Sequence, residues 1–515
     1  MKPIRLVSGF LTVGGWTLAS RFLGFARDVM IAATLGTGPV AQAFIIAFSL
    51  PNMFRRFFAE GAFNTAFVPI FSKKLESGDD PVEFARDAAA GLASILIVFT
   101  LVAQLAMPAL VLAMASGFAA DERFDLSVSF GRIAFPYILF ISLAALCSGV
   151  LNAAGRFAAA AAAPVLLNIL FLGTLIIGPR LGWDAGASLV WTVPVAGAAQ
   201  LALVWVAARR AGMAITPRLP RLTPDMRRLA AIAIPAMLAG GVVQINLVVG
   251  RQVASYYDNA VAWLYNADRL YQLPLGVVAI AIGVVLLPDL SRRLRAGDEA
   301  GGQSSLNRAT EFALALTLPS AVALMVVPLP LVSVLFERGR FGPEDSAATA
   351  LAVALYGAGL PAFVLQKVLQ PLYFAREDTK RPFYFALLAM VVNAGVAIGL
   401  APVIGFSAAA IAATAAGWVM LWQLWRGSRD MGLAAATDAR LRRRAPRILV
   451  TSLLMGLCLL GTAELLEVAL HTAGWRYGAL VVLMLTGITS YFGLGAFLGA
   501  FELSDFTGAM RRKRS

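Results

Sequence analysis

PIFSKKLESGD at residues 69–79 returns as PDLSRRLRAGD at 288–298, with Pro, Ser, two basic residues, Leu, Gly and Asp in register. The match extends further, since Pro136 and Asn168 are answered by Pro361 and Asn393 with identical internal spacing. Two agreeing segments at nearly one offset point to an internal duplication. What is duplicated follows from the composition around them. Of 515 residues, 59% are hydrophobic and 14% charged. Apolar runs of about twenty residues, the length a helix needs to cross a bilayer, recur along the whole chain. Backbone groups in lipid must be satisfied within the segment, so these runs are helices; a barrel would read as short alternating strands.

The sequence predicts an all-α polytopic membrane protein of fourteen spans, at 6–35, 39–71, 88–115, 130–152, 160–179, 185–208, 229–255, 260–290, 311–336, 346–374, 382–401, 406–426, 447–468 and 477–501. The basic groups Lys73, Lys74 and Arg86, Arg209 to Arg228, Arg292 to Arg295, Arg376 to Arg381, Arg440 to Arg447 and Arg511 to Arg514 all follow even-numbered spans. By the positive-inside rule those loops and both termini face the cytoplasm. Each repeat holds six spans, so the halves run parallel about an axis along the membrane normal. The expected organisation is a lobe at 1–215, a cytoplasmic linker at 216–228, a second lobe at 229–428, a basic linker at 429–446, and two extra helices with a basic tail at 447–515. Two such lobes around a central cavity are the architecture of alternating access.

The net charge of +14 is spread over inner-face loops rather than gathered in a basic domain, which argues for topology and anionic lipids and against nucleic acid. Cys147 and Cys458 both lie in apolar helices, and His471 is the single histidine. That leaves no disulfide framework, thiol metal site or histidine relay. No phosphate loop of the Gly-Lys-Ser/Thr type and no zinc spacing is present, so an enzyme is not expected and no cofactor is called for. The first apolar run has no small-residue cleavage pattern and carries Arg21, Arg27 and Asp28, so it reads as a retained helix.

The most informative feature is an excess of cations inside the spans. A cation at bilayer depth costs about 2.5 to 3.5 kcal/mol on insertion scales, so such residues normally face a bundle interior or a wet cavity. In the first span Arg21, Gly24 and Asp28 share a face, with Arg27 beside it. In the second, Pro51 loosens the helix before Arg55 and Arg56, and Arg56 can pair with Glu60 one turn on, which by itself would be a structural ion pair. The eighth span places Asp268 and Arg269 before Pro274, and Lys367 follows Pro361 in the tenth. Arg251 lies near a span end and can snorkel. Guanidinium groups match phosphate oxygens bidentately and keep their charge, so a cluster of arginines suits a diphosphate.

SRFLGFARD (20–28), LPNMFRRFFAEGAFNTAFVP (50–69), FPYILFISLAALCSGVLNAAGRF (135–157) and WLYNADRLYQLPLGVVAIAIGVVLLP (263–288) resemble, nearly end to end, the MurJ/MviN lipid II flippases of the multidrug/oligosaccharidyl-lipid/polysaccharide exporter superfamily. The resemblance implies a bacterial inner-membrane protein that transfers an undecaprenyl-diphosphate-linked disaccharide pentapeptide from the cytoplasmic to the periplasmic leaflet. It also implies that Arg21, Arg27, Asp28, Arg55, Arg56, Glu60, Asp268 and Arg269 occupy the family's cavity motifs, and that the last two helices form a groove for the lipid tail. Implied partners are the lipid-linked diphosphate, membrane lipids and the peptidoglycan synthesis machinery. One departure stands out: Gln42 replaces a second-span carboxylate associated with well-known members. Membrane potential, protons and Na+ remain alternative drivers, and an exporter of drugs or of another polyprenyl-linked glycan is the alternative function.

Overall fold

In the computed structural model, residues 4–55, 58 and 62–502 are described, with side chains outside 4–11, 62–65, 235–247 and 277–285. Arg56 and Glu60 lie outside the described residues. The chain divides by packing into two compact units, Met1–Ala262 with Gly339–Phe341, and Trp263–Arg338 with Gly342–Ser515.

The first unit contains α1 (Ile4–Leu35), α2 (Pro39–Arg55), α3 (Ala62–Ser77), α4 (Pro81–Leu105), α5 (Met107–Ala115), α6 (Glu122–Ala134), α7 (Tyr137–Ala153), α8 (Ala158–Ile177), α9 (Ala185–Arg210) and α10 (Pro224–Ala254). Two expected spans are each a pair of helices divided beside a proline: α4 and α5 break at Ala106, two residues before Pro108, and α6 and α7 break at Phe135 and Pro136. Proline lacks the N–H that would continue the ladder, and hydropathy does not register the interruption. Phe44, Phe171, Val190 and Val193 pack α2, α8 and α9 into one core that includes Ile31 of α1.

Residues between α9 and α10 are strapped to the same unit. The Trp205 indole donates to Ile215 O at 2.8 Å, Arg86 donates to Ala214 O at 2.9 Å, and Arg218 pairs with Asp87 at 2.5 Å. Helix α10 starts at Pro224, inside the stretch read as a linker, because Thr223 accepts from Met226 N–H and Pro224 and Asp225 suit the first turn. At its other end α10 is fastened to the 116–118 turn: Gln252 accepts from Ser116 N–H at 2.6 Å and Ser255 Oγ from Gly117 N–H at 2.9 Å. With these bonds and its packing on α3 and α5, α10 belongs to the first unit although the sequence repeat restarts near it. The turn Gly339–Phe341 is also built into the first unit. Arg340 N–H donates to Ala33 O at 2.8 Å, Gly339 has φ 59°, and Phe341 is 1% exposed.

The second unit holds most of α11 (Ala260–Arg295), then α12 (Glu299–Val326), α13 (Pro328–Phe336), α14 (Pro343–Phe374), α15 (Lys380–Ile404), α16 (Ser407–Ser428), α17 (Ala439–Leu465), α18 (Glu467–His471) and α19 (Arg476–Phe497). Tyr373 donates to Leu424 O at 2.6 Å and joins α14 to α16; Tyr491 donates to Ala315 O at 2.6 Å and joins α19 to α12. Glu311, 7% exposed, accepts from Arg440 at 3.1 Å and Arg444 at 2.5 Å and from Arg308, which bolts α12 to the start of α17. The basic run after Asp438 is therefore helical, with Asp438 capping α17 through Leu441 N–H.

The repeated strings fold alike. Gly78 (φ 71°) and Gly297 (φ 72°) end α3 and α11 in the left-handed region, and Asp79 N–H and Asp298 N–H return to Lys74 O and Arg293 O. The same ion pair closes each cap, Lys74–Asp79 at 2.7 Å and Arg293–Asp298 at 3.2 Å. Every expected span coincides with a helix or with two consecutive helices. Ten segments are long and apolar enough to cross a membrane among the described residues. The other four expected spans, the first, second, seventh and eighth, carry the intramembrane charges singled out above or reach residues outside the description.

Candidate functional site

In the first unit a buried charge pair, Arg27 and Asp28, lies where α1 runs along α8. Arg27 and Asp28 are 8% and 4% exposed. Arg27 Nε and Nη2 donate to Asp28 Oδ1 at 3.0 and 2.7 Å, and Nη1 donates to Asn168 Oδ1 of α8 at 3.0 Å. Its planar group also lies 5.9 Å from the Phe48 ring centroid and 5.6 Å from that of Phe171. A buried cation is tolerable only when paired and hydrogen bonded, and here one carboxylate, one amide and two aromatic faces supply that. At Gly24 a Cβ would stand 3.5 Å from the Asn168 amide, in ordinary contact, so α8 comes close enough here for a side chain larger than alanine to meet it.

The remaining expected residues are placed as follows. Arg21 is exposed on α1, a turn and more before the buried pair, and Arg55 is half-buried at the end of α2. In the second unit, Asp268 accepts from Gln272 on the next turn of α11, and the Arg269 guanidinium lies 4.4 Å from the Tyr265 ring centroid. Lys367 is exposed on α14. Thus Arg27 and Asp28 are brought together on α1, and Asp268 and Arg269 stand together on α11. Asn168, Phe48 and Phe171 are additional members of the site. Of these only Asn168 had a sequence signal, a polar residue within an apolar helix with a counterpart at Asn393.

Gln42 is 1% exposed and accepts from Arg123 Nη1 at 3.3 Å. Arg123 is itself buried, pairs with Asp121 at 2.5 Å and Asp258 at 3.8 Å, and lies 4.4 Å from the Phe118 centroid. An amide at position 42 therefore faces a cation whose charge is balanced by other carboxylates. The hydrogen bonds from Arg123 hold the Asp121 carboxyl below its ordinary value. Among the described residues, no cluster of His, Cys, Asp and Glu could hold a metal ion.

Paired six-helix repeats, two additional helices and a buried arginine within the first span define a membrane exporter fold. The family model for lipid II flippase MurJ matches residues 31–483. A probable lipid II flippase MurJ of Rhizobium tropici is 43% identical over 99% of this chain and 98% of its own. The chain belongs to the lipid II flippase MurJ family. Among solved structures, a lipid II flippase MurJ in an inward closed conformation superposes with TM-score 0.79 at 24% identity, over 97% of this chain and 99% of that one. An inward-facing multidrug resistance MATE family transporter of the MOP superfamily superposes with TM-score 0.67 at 14% identity, over 81% of this chain and 96% of that chain, a likeness of fold alone.

Proposed function

We propose that this chain flips lipid II from the cytoplasmic to the periplasmic leaflet by alternating access. The observation that carries the reading is the buried Arg27 of α1, an intramembrane cation held by Asp28 and by Asn168 of α8. Arg21, Arg27, Arg55, Arg56, Arg269 and Lys367 capture the diphosphate while the polyprenyl tail stays in lipid. Asp28, Glu60 and Asp268 offset the arginines when the site is empty, which limits the cost of unpaired buried charge. The protein acts as a carrier without catalysis or resident cofactor, its termini and basic loops lie in the cytoplasm, and it works beside the peptidoglycan synthesis machinery. Membrane potential drives the cycle, since one elementary charge crossing 100 mV is worth about 2.3 kcal/mol.

The test is depletion of the protein in its host, with externally added enzyme cleaving lipid II headgroups that reach the outer leaflet. Loss of cleavage on depletion, restored by wild type and not by Arg27→Ala or Arg269→Ala, is the expected result. Undiminished cleavage after depletion refutes lipid II flipping, and full rescue by both variants refutes capture by the arginines.

A further inference from the structure

Asn168 is used at both ends of its amide. Its Oδ1 accepts from Arg27 Nη1 at 3.0 Å, and its Nδ2 donates to Ser20 O at 2.9 Å and Ser20 Oγ at 3.4 Å. These partners fix the amide orientation, because a guanidinium only donates and a backbone carbonyl only accepts. The residue is 4% exposed and comes from α8, 141 residues away in sequence from the arginine it holds. On the guanidinium, Nε and Nη2 are taken by Asp28 and Nη1 by Asn168. Nη1 and Nη2 each carry a second N–H, so what a diphosphate oxygen gains only by displacing the amide is the Nη1 hydrogen now given to Asn168.

The two partners are unequal competitors. Asp28 carries a full charge and adjoins Arg27 in sequence, so it stays close whatever Arg27 does. Asn168 offers a neutral acceptor, and a charged oxygen adds the attraction of a full opposite charge to the hydrogen bond it accepts from a guanidinium. A phosphate oxygen thus outcompetes Asn168 where it would compete on even terms with a second carboxylate. The Nδ2 bond to Ser20 keeps the amide in place for the arginine to return to.

We propose that Asn168 is a positioning residue for substrate capture: it parks the Arg27 guanidinium against α8 through a neutral, displaceable acceptor, so that a diphosphate takes over the Nη1 edge. This rests on the reading of Arg27 as a substrate-capturing residue. Asn168→Asp replaces the weak competitor with a strong one, whereas Asn168→Ala removes the competitor. Both variants lose the bond from Nδ2 to Ser20 O, so a residue serving only to rivet α1 to α8 would make them move together.

The experiment measures binding of inorganic diphosphate and, separately, of purified lipid II to the full-length protein in detergent. The variants are Asn168→Asp, Asn168→Ala, Arg27→Ala and the double Arg27→Ala/Asn168→Asp. At neutral pH Asn168→Asp weakens binding about tenfold, as expected for a competing charge beside the guanidinium, and Asn168→Ala binds no more weakly than wild type. The Asn168→Asp loss recovers as pH falls and the introduced carboxyl takes up a proton, and it is absent in the Arg27→Ala background. Equal weakening in the two Asn168 variants, or a full Asn168→Asp loss without Arg27, overturns the proposal. If Asn168→Asp fails to fold, the rate of phenylglyoxal modification at Arg27, read by peptide mass spectrometry, decides. A several-fold rise in Asn168→Ala supports parking, and an unchanged rate refutes it. Wild-type protein that binds neither probe, or binds both without dependence on Arg27, refutes capture by Arg27 and the proposal with it. Arg27-dependent binding of diphosphate without binding of lipid II refutes only the substrate assignment.

Discussion

Replacing Gly339 with alanine should release the 339–341 turn from α1. Two features make the position intolerant. Its φ of 59° is a left-handed conformation that costs a side-chain-bearing residue about 1–2 kcal/mol. A Cβ would also stand 2.2 Å from Ala33 O, a backbone atom that cannot swing aside. Restoring ordinary contact requires a retreat of about 1 Å. The Arg340 N–H to Ala33 O bond, now 2.8 Å, would then lie beyond hydrogen-bonding distance. Losing that bond costs about 1 kcal/mol, and loosening Phe341, 1% exposed, adds to it. The sum is about 3 kcal/mol, within the range for overpacking at a special backbone conformation. Hydrogen exchange read on a peptide covering 337–343, with thermal unfolding of the purified protein, measures both parts. Gly342→Ala is the internal control, since its φ is −94° and a Cβ there meets nothing nearer than Asp345 Oδ2 at 4.0 Å. If Gly339→Ala leaves exchange at Arg340 and thermal stability the same as in Gly342→Ala, the reasoning is wrong.

Three further outcomes follow from the packing. Glu311→Leu leaves Arg444 without its buried partner, so α17 should loosen from α12 at a cost of about 3 kcal/mol, the low end for a broken buried pair because Arg440 and Arg308 are partly exposed; faster trypsin cleavage at Arg440 to Arg444 and a lower melting temperature check it. Gly117→Val should undock the end of α10, because even a Cβ at 117 would stand 2.5 Å from the Ser255 carbonyl carbon; a cysteine pair at 116 and 252 that crosslinks in the parent protein and fails in the variant reports this. The Asp121 carboxyl is held low by Arg123, so its contribution to stability is present above the ordinary carboxylate value and is lost as pH falls through its depressed one. Asp121→Asn keeps an N-cap acceptor but loses the charge; the melting temperatures of variant and wild type should differ at neutral pH and converge in acid.

The spans, their number and the duplication were legible in the chain. Apolar length is a property of consecutive residues, and a repeated cap such as Gly78 with Lys74–Asp79 recurs in sequence wherever it recurs in space. The division of spans into α4 and α5, or α6 and α7, was less visible because hydropathy averages across a break. Pro136 marks the repeat in the sequence, and its interruption of the helix appears only in the backbone. At the candidate site Arg27 and Asp28 stood out as charges in an apolar run. Arg123 and Glu311 did not, since each lies near a span end where a charge is unexceptional until its burial is known.

What the sequence by itself determined is therefore the all-helical membrane class, the paired repeats and the short list of cations, because these depend on local composition and on offsets along the chain. Only the tertiary structure decided that Arg27 is clasped by Asn168 beside two phenylalanines, that Gln42 faces Arg123, and that α10 is fastened to the first unit through Ser116 and Gly117. The physical reason is common to all three. A hydrogen bond needs its partners within about 3 Å, and which residues distant in sequence come that close is set by how the helices pack.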